Sequence, residues 1–173
     1  MQLFFSLLAL IALGGAVLLP AANLAGRKVP LLRQLVDAIA PYALWLGALV
    51  AGTSMAGSLY FSEIADLVPC RLCWYQRIAM YPLALILLIA AVRRDRGIRF
   101  YAVPLAAIGA LISGYHYLIE WYPDLETGGV CSVDVPCTFV WFRRLGFVTI
   151  PFMALCGFLA IIALLTVRPK EER

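Results

Sequence analysis

Five long apolar stretches dominate the chain, at roughly residues 2–22, 42–61, 74–92, 101–120 and 146–167. Each is close to the ~20 residues that a helix needs to cross a bilayer. None alternates polar and apolar residues as a strand of a membrane barrel would. In hydrocarbon every backbone N–H and C=O must be paired within its own segment, so these stretches are expected to be helices. A weaker pattern lies between the first two. Leu31, Leu32, Leu35, Val36 and Ile39 fall at helical spacing, with Arg33, Gln34 and Asp37 on the other side. This fits either an amphipathic helix lying in the membrane interface or a simple linker.

Composition agrees with this reading. Of 173 residues, 64% are apolar and 14% charged, and the mean hydropathy is +0.91. A soluble domain carries about 25% charged residues. A water-soluble globule, a disordered chain and a nucleic-acid reader are all disfavoured. The expected fold is all-α, a polytopic membrane protein whose residues 1–173 form one membrane domain with no room for a separate soluble one.

The basic residues set an expected orientation. Arg27, Lys28 and Arg33 lie in the link 23–41, Arg93, Arg94, Arg96 and Arg99 between the third and fourth stretches, and Arg168, Lys170 and Arg173 in the tail. Five alternating helices put these ten of the 14 basic residues on one side, which the positive-inside rule makes the cytoplasm. The N-terminus is then outside, the C-terminus inside, and segments 62–73 and 121–145 face outward. The first stretch lacks the basic region of a signal peptide, since only Gln2 stands between Met1 and the apolar run. It is therefore read as a retained helix. Its removal would also invert the charge bias.

Four of the five cysteines fall in the outward segments, as Cys70-Arg-Leu-Cys73 and as Cys131 and Cys137. The natural units are these two pairs. Three readings compete: structural disulfides, a four-cysteine zinc site, and a thiol–disulfide relay. Stapling helices already held by a bilayer gains little, and an oxidising exterior favours disulfides over zinc thiolates. The relay has local support. Cys70-x-x-Cys73 stands at the expected N-terminus of the third span, where unpaired N–H groups stabilise a thiolate. The second pair lies among turn residues, Gly128, Gly129, Asp134 and Pro136, in a loop able to reach the first. Cys156 sits inside the last span and reads as a small buried hydrophobe.

A relay needs an electron acceptor, and the sequence has no dinucleotide or haem-attachment motif. A lipid-soluble acceptor is expected. Arg77 lies one helical turn below Cys73, and His116 about five residues inside the Trp121-Tyr122-Pro123 exit of the fourth span. Ionisable groups at such depths are functional candidates, although Arg77 could also snorkel and His116 could serve a structural hydrogen bond. Together they would flank a quinone head.

The run Pro69-Cys70-Arg71-Leu72-Cys73-Trp74-Tyr75-Gln76-Arg77 resembles the signature of the DsbB family of quinone-linked disulfide oxidoreductases. Residues Cys131 to Cys137 and Gly146 to Phe152 resemble its short-loop branch, BdbC. The resemblance covers residues 42–167. It implies a four-helix bundle in the bacterial cytoplasmic membrane, a bound quinone (ubiquinone or menaquinone) and a DsbA-like thioredoxin-fold partner outside. By that likeness, the partner attacks Cys131, Cys137 reaches Cys70, and Cys73 reacts with quinone beside Arg77 and His116. The segment 2–22 is an extra helix beyond the family pattern. The runner-up readings are a vitamin K epoxide reductase-like enzyme, whose quinone-side C-x-x-C lies late in the chain, and a non-catalytic scaffold with structural disulfides.

Overall fold

The protein was analysed as a computed structural model that describes residues 1–25, 29–126, 131 and 135–167. Expectations resting on Arg27, Lys28, Gly128, Gly129, Asp134, Arg168, Lys170 and Arg173 lie outside the described residues. Among the described residues six α-helices follow one another: α1 (Gln2–Ala25), α2 (Pro30–Ile39), α3 (Ala43–Leu59), α4 (Arg71–Arg93), α5 (Arg99–Trp121) and α6 (Ile150–Thr166). Four helical runs are long and apolar enough to cross a membrane: Gln2–Asn23, Val36–Ile64, Arg71–Arg93 and Arg96–Trp121. At 17 residues α6 is at the short end of the spanning range.

Helices α3 to α6 form a closed ring in which each packs on its neighbours in sequence and α6 returns to α3. This is the four-helix bundle. Helix α1 stands outside the ring against α6. Because lipid tails are as apolar as leucine, burial from water does not drive such packing; close fit does. The contacts show it. A Cβ at Gly109 of α5 would overlap the ring of the fully buried Phe158 of α6, and one at Gly157 would come within 3.0 Å of Ser54 Oγ on α3. Leu83, Leu87 and Ile161 fill the ring's core.

The segment between the first two spans is a helix. In α2, Arg33 pairs with Asp37 one turn on, and Val36 is buried with Leu19 of α1 and Leu164 of α6. Leu31, on the expected apolar face, is instead 72% exposed; Leu32 and Leu35 lie outside the described side chains. A 3-10 turn (Ala40–Tyr42) leads into α3, which ends in a π-turn at Tyr60–Ile64.

Two boundaries differ from the hydropathy reading, and both matter at the site. Helix α4 starts at Arg71, three residues earlier than expected, with Cys70 as its N-cap. Helix α6 starts at Ile150 rather than 146, with Pro151 in its first turn. The residues before it are apolar, yet Leu145 and Gly146 both have positive φ, at 53° and 82°. They make a tight reversal in which Arg144 and Val148 exchange backbone hydrogen bonds of 2.8 Å. One end of the bundle thus gathers the start of α1, the Tyr60–Cys70 connection, the end of α5 and the segment before α6.

Candidate functional site

Cys70 begins the site. Its extended backbone (φ −71°, ψ 173°) turns its sulfur back over the first turn of α4, where the Cys73 N–H donates to it at 3.3 Å. A helix N-terminus with an N-cap sulfur suits a thiolate. The Cys73 sulfur lies 2.9 Å from that of Cys70, a hydrogen-bond distance, and both are free thiols. The Cys73 thiol, donating to it, holds Cys70 well below the ordinary thiol range; His116 acts in the same direction, against burial.

The second pair is bonded: Cys131 and Cys137 form a disulfide. Its described residues pack against the first pair. Cys137 is buried in one cluster with Cys70, Leu72 and Ile119, and Cys131, Cys73 and Tyr115 pack against that cluster. All four cysteines therefore converge at one end of the bundle. The Trp121 ring lies 4.0 Å under the Arg143 guanidinium carbon, and the Tyr117 hydroxyl donates to the Phe147 carbonyl at 3.0 Å, pinning the end of α5 to the chain that follows the loop.

His116 joins the pairs. Its Nε2 lies 3.1 Å from the Cys137 carbonyl oxygen and 3.6 Å from the Cys70 sulfur, and its Nδ1 lies 3.1 Å from the Gln76 side-chain nitrogen. A carbonyl can only accept and an amide nitrogen can only donate. Hence Nε2 carries the proton and Nδ1 accepts from Gln76. The imidazole therefore points an N–H at Cys137 and Cys70.

Arg77 does something else. Its Nε donates to Ser58 Oγ at 2.9 Å and its Nη2 to the Ser58 carbonyl at 3.0 Å, and its guanidinium carbon lies 5.1 Å from the Trp74 ring centre. It reaches across to α3 rather than to the membrane surface. There it borders a cavity of about 470 Å³ between α1, α3, α4 and α6, whose wall includes Cys73, Gln76, Tyr81 and Ser58. His116 and Cys70 are not part of that wall. So Arg77 borders this cavity directly, and His116 meets it only through Gln76, which lines it and contacts His116 Nδ1. Both lie near one end of the bundle, but Gln76 and Arg77 are successive on α4 and therefore about 100° apart around it. The Gln76 amide contacts His116, whereas Arg77 faces α3.

Cys70, Cys73 and His116 also bring three metal-type donor atoms within 4.8 Å of one another. Cys131 and Cys137, bonded to each other, do not join this group in the structure. Sequence reasoning left three participants without a role. Ser58 is one of two serines in α3, with no motif to mark it. Gln76 lies inside the quoted run, but only its contact shows its work. Glu120, 8% exposed and one turn beyond His116, keeps one carboxylate oxygen without a hydrogen-bond partner among the described residues, as does the hydroxyl of Thr149.

Comparison with known proteins adds the following. Residues 40–167 match the family model described as disulfide bond formation protein DsbB. The chain is 47% identical over 131 residues to the disulfide bond formation protein C of Bacillus subtilis, across 76% of this chain and 93% of that relative. It is 45% identical over 130 residues to a probable disulfide formation protein of Oceanobacillus iheyensis, across 75% and 88%. It is 49% identical over 120 residues to a probable disulfide formation protein C 1 of Bacillus anthracis, across 69% and 86%. No solved structure matches.

Proposed function

Since the chain belongs to the DsbB family of disulfide bond formation proteins, we propose that it reoxidises a DsbA-like thioredoxin-fold protein and passes the electrons to a membrane quinone. One observation carries this reading. The two sulfurs of the Cys70–Cys73 pair are 2.9 Å apart, but only one of them borders the cavity. Cys70 is buried with Cys137, while Cys73 forms part of the cavity wall beside Arg77.

Each protein step is a thiol–disulfide exchange. Two thiols of the partner become its disulfide as Cys131–Cys137 is reduced to two thiols. The Cys137 thiolate then attacks Cys70 in a Cys70–Cys73 disulfide, and Cys73 leaves as a thiolate. Cys131 attacks the Cys137–Cys70 mixed disulfide, which restores Cys131–Cys137 and leaves Cys70 and Cys73 reduced. That last pairing is the one present here. The His116 N–H, shared between Cys70 and the Cys137 carbonyl, stabilises charge on Cys70 as it leaves. A quinone supplies an acceptor for two electrons and two protons, becoming a quinol as Cys70–Cys73 re-forms. The cavity fits such a group: its volume is that of a small-molecule site, its lining is largely apolar, and Arg77 and Ser58 provide polar groups beside Cys73. Arg77 would hold its positive charge beside a head bound there, favouring electron transfer onto it.

The loop end then faces outside the bacterial cytoplasmic membrane, with the N-terminus outside and the C-terminus in the cytoplasm. Purified protein supplied with reduced partner and quinone tests the reading. Cys73→Ala is expected to abolish quinone reduction, followed by absorbance; unchanged turnover would sink the proposal.

A further inference from the structure

The match to the family begins at residue 40, so α1 lies outside it. Yet α1 supplies part of the cavity wall through Phe4, Phe5, Leu8, Ala9, Ile11 and Ala12. Helix α1 packs along α6 and touches α3 through Phe5, whose ring lies against Gly57. A Cβ at Gly57 would come within 2.8 Å of that ring. Beyond this contact the space between α1 and α3 is lined by Ile11 and Ala12 on one side and Leu49, Val50 and Thr53 on the other. Ile11 and Leu49 are 71% and 62% exposed, so this stretch opens sideways, toward lipid.

Most of the polar lining gathers at one end of the cavity, with Ser54 and Thr53 the exceptions on α3. Arg77, Ser58, Gln76 and Tyr81 lie toward the Cys73 end. In the α1–α3 stretch the hydroxyl of Thr53 donates to the carbonyls of its own helix, Leu49 at 2.8 Å and Val50 at 3.0 Å, which leaves its methyl group for the cavity. The lining on α3 runs from Ser58 to Leu49, or about 14 Å at 1.5 Å per residue, longer than a single ring. The shape suits a molecule with a polar head and a long apolar tail.

We propose that α1 and α3 form a lateral groove for the prenyl tail of the quinone, with Ala9 and Ala12 keeping it open. This rests on the quinone reading above and goes beyond it: the added helix sets which tail the enzyme accepts. The head end is built by α3 and α4, and the tail end by α1 and α3.

The test uses the full chain in detergent with reduced dithiol donor. KM is measured for a prenylated quinone and for a tailless methylated quinone of the same ring, in wild type, Ala12→Phe and Leu8→Ala. Ala12→Phe fills the groove and is expected to raise the ratio of prenylated to tailless KM at least tenfold; Leu8→Ala widens it and leaves the protein's packing on α6 free of added bulk. Independently of turnover, a quinone carrying a photoreactive group on its tail is expected to label the Gln2–Asn23 peptide, mapped by mass spectrometry. An equal change in both KM values, or a label confined to other helices, would overturn the groove. Wild-type protein that reduces neither quinone would instead overturn the acceptor reading, and the label on α1 still reads the groove by itself.

Discussion

Replacing Ser58 by alanine probes whether Arg77 is a cavity group held in place from α3. The serine makes two contacts with the guanidinium: its hydroxyl accepts from Nε at 2.9 Å and its carbonyl from Nη2 at 3.0 Å. The substitution removes only the first. A hydrogen bond to a charged group contributes about 1.5–3 kcal/mol. The carbonyl contact survives, and so does the Trp74 ring under the guanidinium at 5.1 Å, worth about 0.5–1 kcal/mol at an exposed site. The Tyr81 hydroxyl, which donates to the same Oγ at 3.3 Å, is released as well. The lower end of the range therefore applies. About 1.5 kcal/mol corresponds to a rise in quinone KM of about tenfold. Two assays separate the roles. Steady-state quinone reduction reads the cavity. Rapid mixing of reduced partner with quinone-free protein reads exchange through Cys131–Cys137 and Cys70–Cys73, which Ser58 does not touch. A KM within twofold of wild type would refute the idea that Ser58 positions Arg77. A parallel loss in the quinone-free exchange would show that the serine supports the bundle and not the cavity.

Arg77→Ala should raise the quinone KM further than Ser58→Ala, since it removes the charge itself; equal KM values in steady-state assays would return Arg77 to a surface role. In fully reduced protein the thiolate absorbance should persist as pH falls well below ~8.5, the ordinary thiol pKa, because Cys70 is shifted down. His116→Ala removes a group that lowers it, so the midpoint of that titration should move up; a midpoint that stays put would separate His116 from the sulfur. Gly109→Ala forces a methyl group into the Phe158 ring, and overpacking of this kind costs about 1–3 kcal/mol. A lowered melting temperature in detergent is expected, and an unchanged one would contradict the close α5–α6 contact.

Long apolar runs made the helices legible, because period and length alone distinguish a spanning helix from a strand. Ends were less so. Hydropathy starts the third span after Cys73, but a helix begins where its first orphan N–H finds a partner, and here that partner is the Cys70 sulfur. Gly146 to Val148 reads as the start of the last span, yet positive φ at Leu145 and Gly146 turns the chain there. The depth of Arg77 and His116 could be counted from sequence, but the direction in which each side chain leaves its helix could not. That direction depends on which neighbour stands beside each face, and helices apolar on every side carry no mark of it. The same blindness hid the place of α1, whose segment looks alike on all faces.

The separation of the two sulfurs has a consequence for how the molecule can change. Cys70 and Cys73 act like the two plates of a junction, joined by the short sulfur contact and the Cys73 N–H, with Cys73 alone of the two reaching the cavity wall. If a protein thiol docks at the loop and a quinone in the cavity, as proposed above, the first turn of α4 would stand between them. Substitutions on the loop can then retune the choice of protein, and substitutions around the cavity the choice of acceptor, with neither needing to wait for the other.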